Sequence, residues 1–365
     1  MSKAAELANL IGNINAGGGG VNRNVIINGA MNVAQRGTSS TGIGASSGYF
    51  TCDRWKITTG NTAGRLTMTQ DSSAPSGFAN SIKLDCTTAD TSIAADEITI
   101  LGQSLEGQNV QAFAKGTSDA KPFVVSFYVK GNASATYVAE LYDHDNTRNI
   151  TQAFSVTTDW ARVELTFPAD TTGALDDDNA ASLTFQIWIH AGSTYSGGTF
   201  ADNTWGSVTQ ANRYAGSRTS FFDSTDRTFF LTGVQLEVGQ NPTEFEHINN
   251  FGEELARCQR YYQRWQANTQ YDSVCTGSMY ADTTWLGDFR LAPEMRAEPT
   301  FSSNGTFKVN ASGSDMDASS IVLNRATPQI MQIQCTTTDA NRIGQSAFLR
   351  AGADSDAFCE FISEL

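Results

Sequence analysis

The chain has 365 residues, enough for two or three domains with cores of their own. Its net charge of −14 argues against nucleic acid as a partner, because phosphate binding needs a basic groove. Only 17% of residues are charged, and Gly, Ser, Thr and Asn fill the difference, a composition suited to strands joined by tight turns.

Residues 2–14 are expected to form a helix, with Ser2 as cap and Leu7, Leu10, Ile11 and Ile14 along one face. A helix this short must bury that stripe on something. The glycines at 17–20 then make a hinge, so residues 1–20 read as an anchor for a tethered appendage. The N-terminus lacks the pattern of a signal peptide, and no run of about eighteen apolar residues follows. Neither signal-peptide export nor membrane insertion is expected.

From 21 to 250 the pattern is strand and turn. Apolar alternation marks residues 65–69, 81–86, 123–130, 136–142, 161–167 and 183–190, at the spacing of a β-sandwich. Val125, Phe127 and Val129 alternate with Ser126, Tyr128 and Lys130; Phe185, Ile187 and Ile189 alternate with Gln186, Trp188 and His190. Long loops at 169–181 and 191–219 are natural places for binding groups. The NVIING segment from Asn24 and the LTGVQLEV segment from Leu231 are expected to meet and close the shell, as the first and last strands of a jelly roll do.

Residues 250–265 read as a second helix, with Leu255, Cys258, Tyr262 and Trp265 forming a short coiled-coil-like seam; residues 251–268 are taken as a link. Strands return at 274–280, 285–291, 306–309, 321–323, 329–335, 347–349 and 357–364, so residues 269–365 read as a smaller β-domain, expected to be a second sandwich. The fold class is therefore all-β.

Several segments together carry a resemblance. They are IINGAMNVAQRG at 26–37, DRWKI at 53–57, LTGVQLEVGQNPTEFE at 231–246, ELARCQRYYQRW at 254–265, LAPEMRAEPTFS at 291–302 and AFCEFISEL at the end. In this order they resemble bacteriophage tail-fibre and virion appendage proteins, and the first 250 residues are similar to jelly-roll carbohydrate-binding modules. The resemblance implies a virion protein at the phage tail or capsid surface, most simply a homotrimeric, receptor-binding tail fibre. Its partners would be copies of itself, other virion proteins through the N-terminal segment, and a host surface glycan or protein. A capsid or neck decoration fibre and a glycan-degrading tailspike are the alternatives. Members of such module families often carry a structural calcium ion, but Leu231-Thr232-Gly233-Val234 offers no Asp pair. Asp143, Asp145 and Asn146, or Asp176 to Asp178, could supply oxygen ligands instead, solvated loop acids being the plainer reading.

No enzyme motif emerges. GxSxG, GxxxxGKS/T and HExxH are missing, and the histidines, His144, His190 and His247, sit in no nucleophile pattern. The six cysteines show no CxxC spacing and read as buried free thiols, so no cofactor is expected. Glycan binding needs aromatic platforms with amide and carboxylate neighbours. Trp188, Tyr195, Trp205 and Tyr214, near Asp202, Asn203, Asn212 and Arg213, are the candidates in the first domain, and Tyr280 and Trp285 in the second.

Overall fold

The computed structural model describes residues 2–15, 23–248, 250–338 and 342–365. The chain is mainly β and divides into two compact units, with the division inside a helix between Glu254 and Leu255.

The first unit opens with α1 (Lys3–Asn15). Its strands are β1 (Ser39–Ile43), β2 (Gly48–Tyr49), β3 (Lys56–Gly60), β4 (Arg65–Asp71), β5 (Ser81–Thr88), β6 (Ile98–Glu106) and β7 (Phe123–Gly131). They continue with β8 (Ala135–Asp143), β9 (Arg148–Val156), β10 (Ala161–Phe167), β11 (Ala181–Ala191), β12 (Gly206–Ser207) and β13 (Thr228–Val238). A short turn of helix, α2 (Ser193–Ser196), lies in the excursion between β11 and β12. One sheet runs β1-β4-β5-β13-β7-β10 and the other β12-β9-β8-β11-β6-β3-β2. Every strand pair is antiparallel, and the two inner faces form one apolar core. Phe127 of one sheet meets Phe154 and Phe185 of the other at ring separations of 5.1 and 5.9 Å. The strands expected between 65 and 190 all form, as does the closing one at 231–238; β6 and β9 were not expected.

The ends of this unit do meet, but the opening segment is not a regular strand. Val25 donates to the Leu236 carbonyl at 3.1 Å, and Val234 donates to Gly29 at 3.0 Å. The Asn24 amide reaches the Val234 carbonyl, while its oxygen accepts from Ile26 and Leu236. Asn28 then turns the chain at φ 57°. A side chain at Gly29 would place its Cβ 2.2 Å from the Val234 carbonyl oxygen, so only glycine lets the two segments lie this close. The Asn28 side chain bonds Val33 and the Asp53 carbonyl, and the Asp53 carboxylate accepts from the Gln35 backbone and side chain. The first three of the segments that carry the resemblance, at 26–37, 53–57 and 231–246, thus contribute to a buried polar knot that closes the shell.

The second helix, α3 (Phe251–Gln259), is shorter than the sequence suggests. It stops before β14 (Tyr262–Gln266), so the expected seam breaks: Leu255 and Cys258 are helical, whereas Tyr262 and Trp265 belong to a strand. Cys258 and Tyr262 are fully buried. The strand wins because Tyr262–Gln266 pairs in full with β22. Residues 262–268 are therefore part of the second unit rather than a link.

That unit continues with β15 (Ser273–Ala281), β16 (Thr284–Arg290), β17 (Thr300–Asn304), β18 (Phe307–Ala311) and β19 (Ser314–Ala326). It ends with β20 (Ile330–Thr337), β21 (Ser346–Ala351) and β22 (Phe358–Ile362). It is not a second sandwich. Strands β15-β16-β20-β19-β18-β21 close into a barrel, and β14-β22-β17 form a separate small sheet. Trp285, Met279, Met316, Met331, Ile333 and Leu349 fill the barrel core, which a single sheet closed on itself can bury. No described helix is long and apolar enough to cross a membrane.

Candidate functional site

The outer face of the seven-stranded sheet gathers a set of polar and aromatic groups. Phe185 points into the core, so its neighbours in β11, Thr184, Gln186 and Trp188, face outward. Register carries this face across the sheet. One row runs Tyr49, Lys56, Gly102, Gln186, Glu140 and Thr151. The next runs Ser104, Thr184, Tyr142, Asn149 and Gly206.

The excursion after β11 folds back over one end of this face. Arg213 brings a two-pronged contact to Glu140, at 2.9 and 2.8 Å, and Trp188 and Asn149 donate to the same carboxylate at 2.6 Å each. A carboxylate with four donors, two of them from an arginine, is fixed and screened from water, an arrangement that positions groups and leaves no free acid. The guanidinium lies 4.5 Å from the Trp188 ring centroid and 5.0 Å from that of Tyr142. Beyond this wall the face is open. Tyr49, Lys56, Ser104, Tyr142 and Gln186 are half-buried, and His144 is exposed. His144 Nε2 sits 2.7 Å from the Thr184 hydroxyl, which is 2.9 Å from that of Ser104. Lys56 and Arg36 flank the Tyr49 ring at 5.6 and 5.3 Å. The result is a shelf with an aromatic at each end and hydroxyl, amide and cationic donors between.

Of the aromatic candidates, Trp188, Tyr214 and Trp285 are buried and have no face to offer a ligand. Trp188 stacks on Tyr214, and burial pushes the Tyr214 hydroxyl well above its ordinary range while it donates to the Thr219 carbonyl. Trp285 fills the barrel. Sequence alternation places Trp188 outward correctly but cannot show that the excursion would cover it. Tyr195 is half-buried against Trp188, and Trp205 is half-buried with its Nε1 on the Pro168 carbonyl. Tyr280 alone stands free, 71% exposed. Tyr49 and Tyr142, the rings the shelf presents, were missed because each looks like an ordinary strand residue; only register brings them onto one face.

The other long loop is held by a buried lysine. Lys115 Nζ donates to Asp143 at 2.6 Å and to the carbonyls of Thr172 and Gly173, and it lies 3.2 Å from Asp170. Burial alone would raise the Asp170 pKa, but Arg148, the Thr172 N–H and Lys115 outweigh it and hold the carboxyl below its ordinary value. Asp143 thus has an ammonium partner, and Asp145 accepts from the Asp176 backbone, so these calcium candidates already serve as loop ties. The described residues that do converge at metal-ligand distances are Asp90, Glu97 and His190. None of the six cysteines is in a disulfide. Burial raises the thiols of Cys52 and Cys335, lifts that of Cys86 to about 11, and lifts those of Cys275 and Cys359 to about 12, which makes them unreactive.

No protein-family model and no curated protein matches this chain. Among solved structures, the enzymatically active domain of bacteriophage CBA120 tailspike protein 4 is 12% identical, with a TM-score of 0.29, over 59% of this chain and 21% of that one. This chain therefore spans about a fifth of that structure's length. The family 11 carbohydrate-binding module of the Clostridium thermocellum cellulase Lic26A-Cel5E is 12% identical, with a TM-score of 0.27, over 57% of this chain and 98% of the module. TmCBM61 in complex with β-1,4-galactotriose is 9% identical, with a TM-score of 0.30, over 60% and 99% of the two chains.

Proposed function

We propose that the first unit binds a glycan along the outer face of its seven-stranded sheet, and that the chain is a virion appendage using this face to adsorb to a host surface. The shelf between Tyr49 and Tyr142 carries the reading. From β2 to β8 it crosses four strand spacings, roughly 19 Å, enough for several linked sugar rings. An aromatic face packs on the apolar side of a pyranose, while Lys56, Gln186 and His144 meet its hydroxyls. The tail-fibre resemblance of the motifs supports the virion setting. The appendage would be a homotrimer held to other virion proteins by α1, whose Leu7 and Ile11 are 58% and 49% exposed. Leu10 is half-buried, and the Ile14 side chain and hinge residues 17–20 lie outside the described residues. No catalysis is assigned, because Glu140, the carboxylate nearest the shelf centre, is locked by its donors.

Affinity electrophoresis through gels containing host surface polysaccharide tests the reading. The chain is expected to be retarded, and Tyr142→Ala to weaken retention by about tenfold or more with unchanged melting. Equal retardation of the two proteins, or none for either, would rule out this face. Reducing ends released from the polysaccharide would instead favour the tailspike.

A further inference from the structure

We infer that Asp90, Glu97 and His190 form a binding site for one divalent transition-metal ion that clasps the base of the excursion after β11. The three residues are 5%, 3% and 0% exposed, and one ligand atom from each lies within 4.8 Å of the others. His190 Nε2 is 3.0 Å from Glu97 Oε2, close to the roughly 3.3 Å between ligands of a tetrahedral ion bound at about 2.0 Å.

Charge supplies an independent reason. The buried carboxylates Glu140, Asp143, Asp170 and Glu237 each have an arginine or lysine partner. No described lysine or arginine pairs with Asp90 or Glu97, whose only basic neighbour is the imidazole. Buried carboxylates without a cation are costly, and a dication balances two of them.

Each ligand is also held from behind. Asp90 accepts from Ala63 at 2.8 Å, the Thr62 hydroxyl at 3.1 Å and Ser92 at 3.3 Å; Glu97 Oε1 accepts from Ala94 at 2.8 Å; His190 Nδ1 meets the Ser220 hydroxyl at 2.8 Å. Outer contacts of this kind orient metal ligands. An imidazole with two carboxylates suits zinc, manganese or cobalt, whereas calcium takes six to eight oxygens.

The position gives the ion a task. The Glu97 carbonyl accepts from Gly192 at 2.8 Å, Ala95 accepts from Thr194 at 2.8 Å, and Asp90 donates to the Phe222 carbonyl at 2.9 Å. Both ends of the excursion are therefore sewn to the ligand loop. A Cβ at Gly192 would lie 1.9 Å from the Ala94 carbonyl oxygen, so the approach is tight.

Because the ligands are buried, the ion must load during folding. The full chain, refolded from denaturant in chelator-treated buffer with or without Co2+ or Zn2+ and then dialysed, provides the test. The expected result is one Co2+ per chain with intense visible d–d bands. Melting should rise by roughly 5–10 °C at about a hundredfold metal excess over Kd, and amide exchange across residues 193–219 should slow. Glu97→Gln, which keeps the side-chain shape, should lose the bands and the shift, while a His144→Ala, His247→Ala double variant should keep both. A wild-type chain that refolds without retaining metal would overturn the inference, whatever the variants do. So would bands that survive in Glu97→Gln, because the ion would then sit elsewhere.

Discussion

The sandwich and the barrel solve the problem of burial in opposite ways. The barrel fills its interior with Trp285, methionines and aliphatic side chains, and its ion pairs, Lys308–Asp317 and Arg350–Asp315, lie towards solvent. The sandwich has an equally apolar core but also buries Lys115 with Asp143 and Asp170, Arg213 with Glu140, and Arg23 with Glu237. Buried ion pairs are weak sources of net stability. What they supply here is position: each ties a loop, the excursion or the opening segment to a strand. The Lys115 and Arg213 pairs fix loops at one sheet's face, as a recognition surface requires, and this contrast is why binding is proposed for the sandwich.

The largest effects should come from emptying each kind of core. Lys115→Ala strands Asp143 in a buried site and should destabilise the sandwich by about 3–5 kcal/mol. Trp285→Ala leaves a cavity in the barrel and should cost about 3–5 kcal/mol there. Calorimetry should show each variant lowering one melting transition and sparing the other. If both variants depress a single shared transition, the units do not fold independently. Removing the exposed pair with Lys308→Ala should change little.

Acid should sharpen the contrast next. Asp170 titrates below its ordinary 3.8 in the folded chain. Its contribution is therefore fully present above that value and fades as pH falls through the lower, folded one. The sandwich transition should drop steeply below about pH 4, and Asp170→Asn should flatten that acid limb while lowering stability at neutral pH. An acid limb unchanged in Asp170→Asn would remove the Lys115 cluster as its source.

Much of this was legible in the sequence, and the failures share a cause. Alternation at 123–130 and 183–190 gives strands and the inward faces of Phe127 and Phe185 correctly, because a half-buried strand displays its burial locally. The covering of Trp188 is set by Tyr214 and Arg213, well downstream, and no local pattern announces it. The 250–265 segment has a helical spacing throughout, yet at Tyr262 pairing with β22 from the far end of the chain takes over. The barrel was missed for the same reason, since closure depends on which distant strands pair. Asp90 and Glu97 drew no notice, and His190 was weighed only as an isolated histidine, because no sequence spacing joins the three.

The smallest expected effect isolates the one glycan candidate that stands exposed. Tyr280 is 71% exposed on β15, and its removal uncovers no core. Tyr280→Ala should leave both melting transitions in place. If recognition resides in the sandwich shelf, the variant should also migrate through host polysaccharide as the parent chain does, whereas Tyr142→Ala should run faster. A loss of retardation in Tyr280→Ala with retention in Tyr142→Ala would reverse the assignment and move the binding surface to the barrel. An exposed ring is thus a weaker sign of a sugar site than a half-buried one with fixed donors beside it, since a platform binds well only when its neighbours are already in place.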